Sequence, residues 1–256
     1  MTYIDVHCHI DRYNDEQVEA IMERAREKGV GIIINNGNNF ENNERTLEFC
    51  EKYPEVRAAM GIFPIECLQY TDKQLSDFRE KIRKLHKNKK VIAIGEVGLD
   101  FKEDLDNWEK QKEIFEEWIK LSIELNIPII VHSRKAELEA IEILEKFNKS
   151  DKKPKVIMHC FSGSMKLVQR IFDNGWYFSI PTSIKNSQHF QLVVEKIPIE
   201  KLFCETDSPF LHPDKLRDNE PANVIVSYQK IAEIKKMRLK DIEKQIEKNF
   251  KSLFEI

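Results

Sequence analysis

Eight short runs of apolar, largely β-branched residues recur along the chain, separated by longer stretches whose apolar residues return every three or four positions. A strand buried on both faces reads as a continuous apolar run, whereas a helix lying over it is apolar along one stripe only. The alternation therefore predicts parallel strands joined by crossover helices. The runs fall at 3–9, 30–35, 57–63, 91–96, 127–132, 155–159, 176–179 and 202–207. Between them, 15–28, 108–125, 135–147 and 165–174 carry helical spacing and end near Gly, Asn or Pro. Two more helical stretches, 222–236 and 239–254, follow the last run. Eight strand–helix units in 256 residues fit an α/β fold, a single (β/α)₈ barrel with extra C-terminal helices, as one domain over 1–256. No glycine-rich dinucleotide loop argues for an open doubly wound sheet instead.

Composition removes several function classes. No run of 18 uncharged apolar residues exists, so a spanning helix and a membrane partner are not expected. The opening MTYIDVHCHI lacks the basic start and apolar middle of a secretory signal, and a cytoplasmic protein is expected. Cys8, Cys50, Cys67, Cys160 and Cys204 are scattered without a CxxC spacing, which suggests neither a disulfide framework nor a structural zinc knuckle. A net charge of −3 shows no global basic footprint, and the lysine-rich stretches 84–90 and 235–251 read as solvated faces.

The histidines are not scattered. Of seven, four stand at the C-terminal ends of expected strands: His7 and His9 on the first, His132 on the fifth and His159 on the sixth. Glu96 and Asp207 end the fourth and eighth. Residues two apart on a strand point the same way, so His7 and His9 face together. Closing the sheet brings all six into a ring on the face where barrels of this kind place catalytic groups. Without a cation such a ring leaves repelling carboxylates and unpaired imidazoles. Four imidazoles and two carboxylates suffice for two divalent ions sharing Glu96, and the donor types suit Zn²⁺, Mn²⁺ or Mg²⁺. Such ions lower the pKa of a bound water, with Asp207 placed both as ligand and as acceptor of the water's proton.

Substrate contacts are less constrained. Arg134, two residues past His132, can offer a forked donor to phosphate or lie in a surface ion pair. Glu205 shares the inward direction of Asp207 and can hold a ligand histidine from behind or bind substrate. Ser162, with Gly163 and Ser164, precedes a helix and presents either an anion-binding turn or a cap. Phe63 and Phe161 stack on bases or complete the core, and His212 is expected near the pocket.

The segments DVHCHID (5–11), GEVGLD (95–100), IPIIVHSR (127–134), HCFSG (159–163), ETDSPFL (205–211) and RDNEP (217–221) together resemble the motif series of the TatD-type metal-dependent deoxyribonucleases, in the same order. The resemblance implies a TIM-like barrel, two metals and hydrolysis of DNA phosphodiesters, often as a 3′→5′ exonuclease. It implies that His7, His9 and Asp207 hold one ion, His132 and His159 the other, and that Glu96 bridges them. The expected partner is single-stranded or end-frayed DNA, and the expected state a monomer. The chain departs from the family at Phe63, where members commonly carry the histidine of Gly-x-His-Pro, thought to hold the substrate phosphate. The competing reading is an amidohydrolase-type enzyme cleaving a C–N or ester bond. Many of that wider group bridge their metals with a carboxylated lysine, and Glu96 at the corresponding place favours the phosphodiesterase.

Overall fold

A computed structural model describes residues 2–87, 91–149, 152–215 and 218–255. The strands are β1 (Tyr3–Cys8), β2 (Val30–Asn36), β3 (Val56–Met60), β4 (Val91–Asp100), β5 (Ile129–Arg134), β6 (Val156–His159), β7 (Tyr177–Pro181) and β8 (Leu202–Glu205). Each pairs in parallel with the next in chain order. The helices are α1 (Asp15–Glu27), α2 (Phe40–Lys52), α3 (Pro64–Cys67), α4 (Asp72–His86), α5 (Trp108–Leu125), α6 (Glu137–Phe147), α7 (Met165–Asp173), α8 (Gln188–Lys196), α9 (Ile225–Lys235) and α10 (Leu239–Phe254). This is the expected (β/α)₈ barrel with extra C-terminal helices. No helix among the described residues is long and apolar enough to cross a membrane.

Five helices among the described residues, α1, α2, α4, α7 and α8, start at a side-chain cap. Asn14 accepts from the Gln17 N–H while the Gln17 side chain accepts from the Asn14 N–H, and Thr71 and Gln74 repeat this reciprocal cap on α4. Two otherwise orphaned donors are satisfied at each start. Each helix then turns an apolar stripe inward, as α1 does with Val18, Ile21, Met22 and Ala25. Burying side chains of that size contributes roughly 1.5–3 kcal/mol each for the larger ones.

The seam between β8 and β1 is closed by side chains and by backbone just beyond the strands. At its lower part, the buried Tyr228 hydroxyl accepts from Ile4 N–H and donates to Ile4 O. Higher up, Asp5 accepts from Thr206 N–H at 3.0 Å and from Thr206 Oγ1 at 2.6 Å, as well as from His7 N–H at 3.2 Å. Burial pushes the Asp5 carboxyl up to about 8. At the rim, Asp207 N–H donates to His7 O and His9 N–H to Ser208 O, at 2.9 and 2.7 Å. The C-terminal helices thus serve the barrel directly, because their Tyr228 supplies partners that a ladder would otherwise provide.

Several strand ends differ from expectation, β3 stopping at Met60 and β5 running on to Arg134 among them. β1 and β8 stop before His9 and Asp207, whose φ is +55°, a left-handed conformation that aspartate tolerates better than most residues. β4 runs four residues past Glu96, pairing Gly98 with His132 and Asp100 with Arg134. Gly98, at φ +144°, makes this possible: a Cβ there would lie 2.0 Å from the His132 carbonyl oxygen. The stretch expected as one helix at 222–236 is a 3₁₀ turn, Pro221–Val224, followed by α9. Residues 88–90 of the lysine-rich stretch and Arg217 of the RDNEP segment lie outside the described residues.

Candidate metal centre

The six expected residues meet at the C-terminal rim. His7 Nε2 and His9 Nε2 lie 3.2 Å apart, and Asp207 Oδ1 is 3.5 and 3.6 Å from them. On the other side, Glu96 Oε1 is 2.9 Å from His132 Nδ1 and 3.8 Å from His159 Nε2. The second Glu96 oxygen, Oε2, faces the first group, 3.8 Å from His7 Nε2 and 3.4 Å from His9 Nε2. One carboxylate therefore spans two clusters, His7–His9–Asp207 and His132–His159, each close enough to hold a metal ion. His9 belongs to the cluster although it stands past the end of β1.

Each ring is aimed by what lies behind it. His9 Nδ1 is 2.7 Å from Asn36 O, which can only accept, so Nδ1 carries the proton and Nε2 presents its lone pair. His159 Nδ1 is 2.9 Å from Glu205 Oε2 and His132 Nε2 is 2.9 Å from Asp100 Oδ2, with the same consequence at their opposite nitrogens. His132 then stands between two carboxylates, Asp100 and Glu96, and its Nδ1 requires a proton or a cation. His7 Nδ1 is buried without a hydrogen-bond partner.

The charges fit the same picture. Burial alone would raise Glu96, but hydrogen bonds with His132 and His9 hold it well below the usual carboxylate range. Burial is likewise overcome at Asp207 by the bond with His7 and the charge of His159. Burial pulls His159 down, yet Glu205, Asp207 and Glu96 outweigh it and lift the ring to about 10. His132 and His9 are raised against burial too, His132 by Asp100 and Glu96 and His9 by Glu96. Among the four imidazoles only His7 is lowered, by burial and by His159 stacked 3.6 Å from it. The carboxylates stay ionised and draw positive charge into a buried ring, which is the electrostatic condition for binding divalent cations in place of protons.

A sequence model of the family described as TatD related DNase matches residues 4–255. The chain belongs to that family. A metal-dependent hydrolase of Methanocaldococcus jannaschii is 36% identical over 250 residues, 96% of this chain and 94% of that one. The 3′-5′ ssDNA/RNA exonuclease TatD of Salmonella typhimurium is 30% identical over 221 residues, 83% of each. The crystal structure of YjjV, a TatD homologue from Escherichia coli K12, aligns with a TM-score of 0.90 at 27% identity, covering 99% of this chain and 98% of that one.

Above the candidate metal ligands of this TatD-family barrel opens a cavity of about 660 Å³, with His9, Glu96, His132, His159 and Asp207 at its floor and Phe63, Arg134, Ser162, Phe210 and Arg12 among its walls. Arg134 donates Nε–H to Asp100 and Nη2–H to Glu103, at 2.9 and 2.6 Å, so the ion pair weighed as its alternative role is formed. Glu205 does not line the cavity; fully buried, it holds His159 and accepts from Cys160 N–H. Of its two expected roles, the geometry places it in the first. Ser162 lines the cavity, but the cap of α7 is Ser164. Phe161 is buried against Phe178 and belongs to the core, whereas Phe63 is half-buried with its ring 4.8 Å from that of His132. His212 is not among the lining residues and accepts from Asp214 N–H. Sequence reasoning gave no role to Asp100, Asn36, Arg12 or Phe210. Asp100 was within reach, since it lies an even number of residues past Glu96 on one strand and so faces the same side.

Proposed function

We propose that this chain is a two-metal phosphodiesterase acting on DNA as a single-domain monomer, with single strands or frayed ends as substrate. The observation that carries the reading is Glu96, whose two oxygens face two separate donor clusters. His7, His9 and Asp207 would hold one ion, His132 and His159 the other, with Glu96 common to both. Imidazole and carboxylate donors without a thiolate suit Zn²⁺, Mn²⁺ or Mg²⁺. When bound, such ions supply Lewis acidity, which makes water nucleophilic near neutral pH and offsets charge on the phosphoryl oxygens. The chain's own groups do the rest. Asp207, 14% exposed toward the cavity, accepts the water's proton on its carboxylate. Asp100 and Glu205 hold His132 and His159 in one tautomer and orientation. Burial of His9, Glu96 and His159 at the floor strengthens every charge contact there. Support for DNA comes from the family and from the TatD exonuclease relative.

Chelator-stripped protein is expected to lose hydrolysis of a short single-stranded oligonucleotide and to regain it with Mg²⁺, Mn²⁺ or Zn²⁺. Ester and amide substrates assayed in parallel should remain poor. Full activity in excess chelator, with metal absence confirmed by elemental analysis, would defeat the metal reading; preference for ester or amide substrates would defeat the DNA reading.

A further inference from the structure

Two exposed side chains at the cavity mouth are left without a role by the fold and by the metal ligands. Phe210 keeps 48% of its surface exposed, and the Arg12 guanidinium, itself exposed, lies 5.5 Å from the centre of the Phe210 ring. Ligand-binding cavities are lined largely by hydrophobic and aromatic side chains, so an exposed phenyl ring in this cavity's wall offers a contact surface. This one is not there through slack packing. Phe210 N–H donates to Asp207 O at 2.8 Å, and the buried Asn219 donates Nδ2–H to Phe210 O and to Thr206 O, each at 2.8 Å. Tyr13 in turn donates its hydroxyl to Asn219 O. The backbone carrying Phe210 is thereby tied to the backbone carrying Asp207.

The ring's place is informative. Its centre is 6.4 Å from that of His9, on the His7–His9 side, while Phe63 lies 4.8 Å from His132 on the other side. Glu96 sits between His9 and His132. An aromatic ring thus stands at each end of the row of donors, and a phosphodiester seated over Glu96 has one nucleoside running toward each ring.

Resting on the phosphodiesterase reading, we infer that Phe210, backed by Arg12, is the stacking platform for a nucleobase next to the scissile phosphate. Stacking needs an open base face and no particular base, because every base has one. With Arg12 over part of the ring, the remaining exposed surface is what a base can cover, and the cation adds attraction for the polyanion. A paired and stacked base inside a duplex has no face to offer. The platform therefore selects single strands and unpaired ends, with little sequence preference.

The test compares two short single-stranded oligonucleotides on metal-reconstituted enzyme, one ordinary and one whose three 3′-terminal nucleotides are abasic tetrahydrofuran units. Phosphorothioate versions of both, which resist hydrolysis, report Kd by fluorescence anisotropy; the phosphodiester versions report KM and kcat. On the ordinary strand, Phe210→Ala and Phe210→Leu are expected to raise Kd and KM about tenfold, equivalent to about 1.4 kcal/mol, with kcat within about twofold. Phe210→Trp should stay near wild type, since it keeps a stacking face. On the abasic strand the wild type and all three variants should bind alike. Equal weakening by Phe210→Ala on both strands, or none on the ordinary one, overturns the platform. Base-dependent binding without cleavage would sink the phosphodiesterase reading and keep the platform. Base-independent cleavage would do the reverse, and absence of both binding and cleavage would overturn the two together.

Discussion

The two ends of the donor row are built differently. At the His132–His159 end a buried carboxylate backs each imidazole, Asp100 behind His132 and Glu205 behind His159, both at 2.9 Å. At the His7–His9 end the backing is a backbone carbonyl for His9 and, for the buried His7 Nδ1, no partner at all. A carboxylate behind an imidazole fixes its tautomer and makes it a more basic ligand than a carbonyl does. The difference teaches that two ends offering two imidazoles each need not be equivalent. The carboxylate-backed end gains basicity in its two imidazoles, while the other end adds the Asp207 carboxylate as a further donor.

The largest expected effect comes from removing what the ends share. Glu96→Gln keeps the shape of the bridge but removes its charge, so metal content measured by elemental analysis should fall at both ends and turnover of an oligonucleotide should drop by orders of magnitude. Near wild-type turnover would show that Glu96 does not join them. The contrast is sharpened next by Asp100→Asn and Glu205→Gln, which weaken one end only. Losses of about 10–100-fold in metal affinity are typical for such backing groups. A metal titration by calorimetry should show one of two binding steps weakened by that amount and the other unmoved. Two steps falling together would mean that the ends are not separable.

The smallest expected effect concerns Phe63, at the carboxylate-backed end. Phe63→His places a donor beside His132, and one charge-assisted hydrogen bond is worth about 1.5–3 kcal/mol when fully formed. At this half-buried position the lower figure applies, so KM for single-stranded DNA should fall by about tenfold, with metal content unchanged and the gain shrinking in high salt. A rise in KM for both Phe63→His and Phe63→Ala would show instead that the ring is a second stacking face, matching Phe210 at the opposite end.

Much of this centre is legible in the sequence. Strand parity put His7 and His9 on one side, the recurring apolar runs put six titratable residues at strand ends, and the cost of burying them together called for a cation. Those are local properties, set by side-chain alternation and by the hydrophobic pattern of single segments. Which group stands behind each ring was another matter. Glu205 reaches His159 from 46 residues away and Asp100 reaches His132 from 32, and the Asp100 contact depends on β4 continuing past Glu96 because Gly98 leaves room for the His132 carbonyl.

The sequence by itself therefore determined the fold class, the ring of donors and their chemical type, because each follows from residue identity and from a period of two or of about 3.6. Tertiary structure alone decided that Arg134 is held by Asp100 and Glu103, that Phe161 is core while Phe210 is at the mouth, and that Asp5 ties β1 to Thr206 across the barrel seam. Parity tells which side of a strand a residue faces. Its depth and its partners depend on register between strands and on closure of the barrel, and those are set by contacts between residues far apart in the chain.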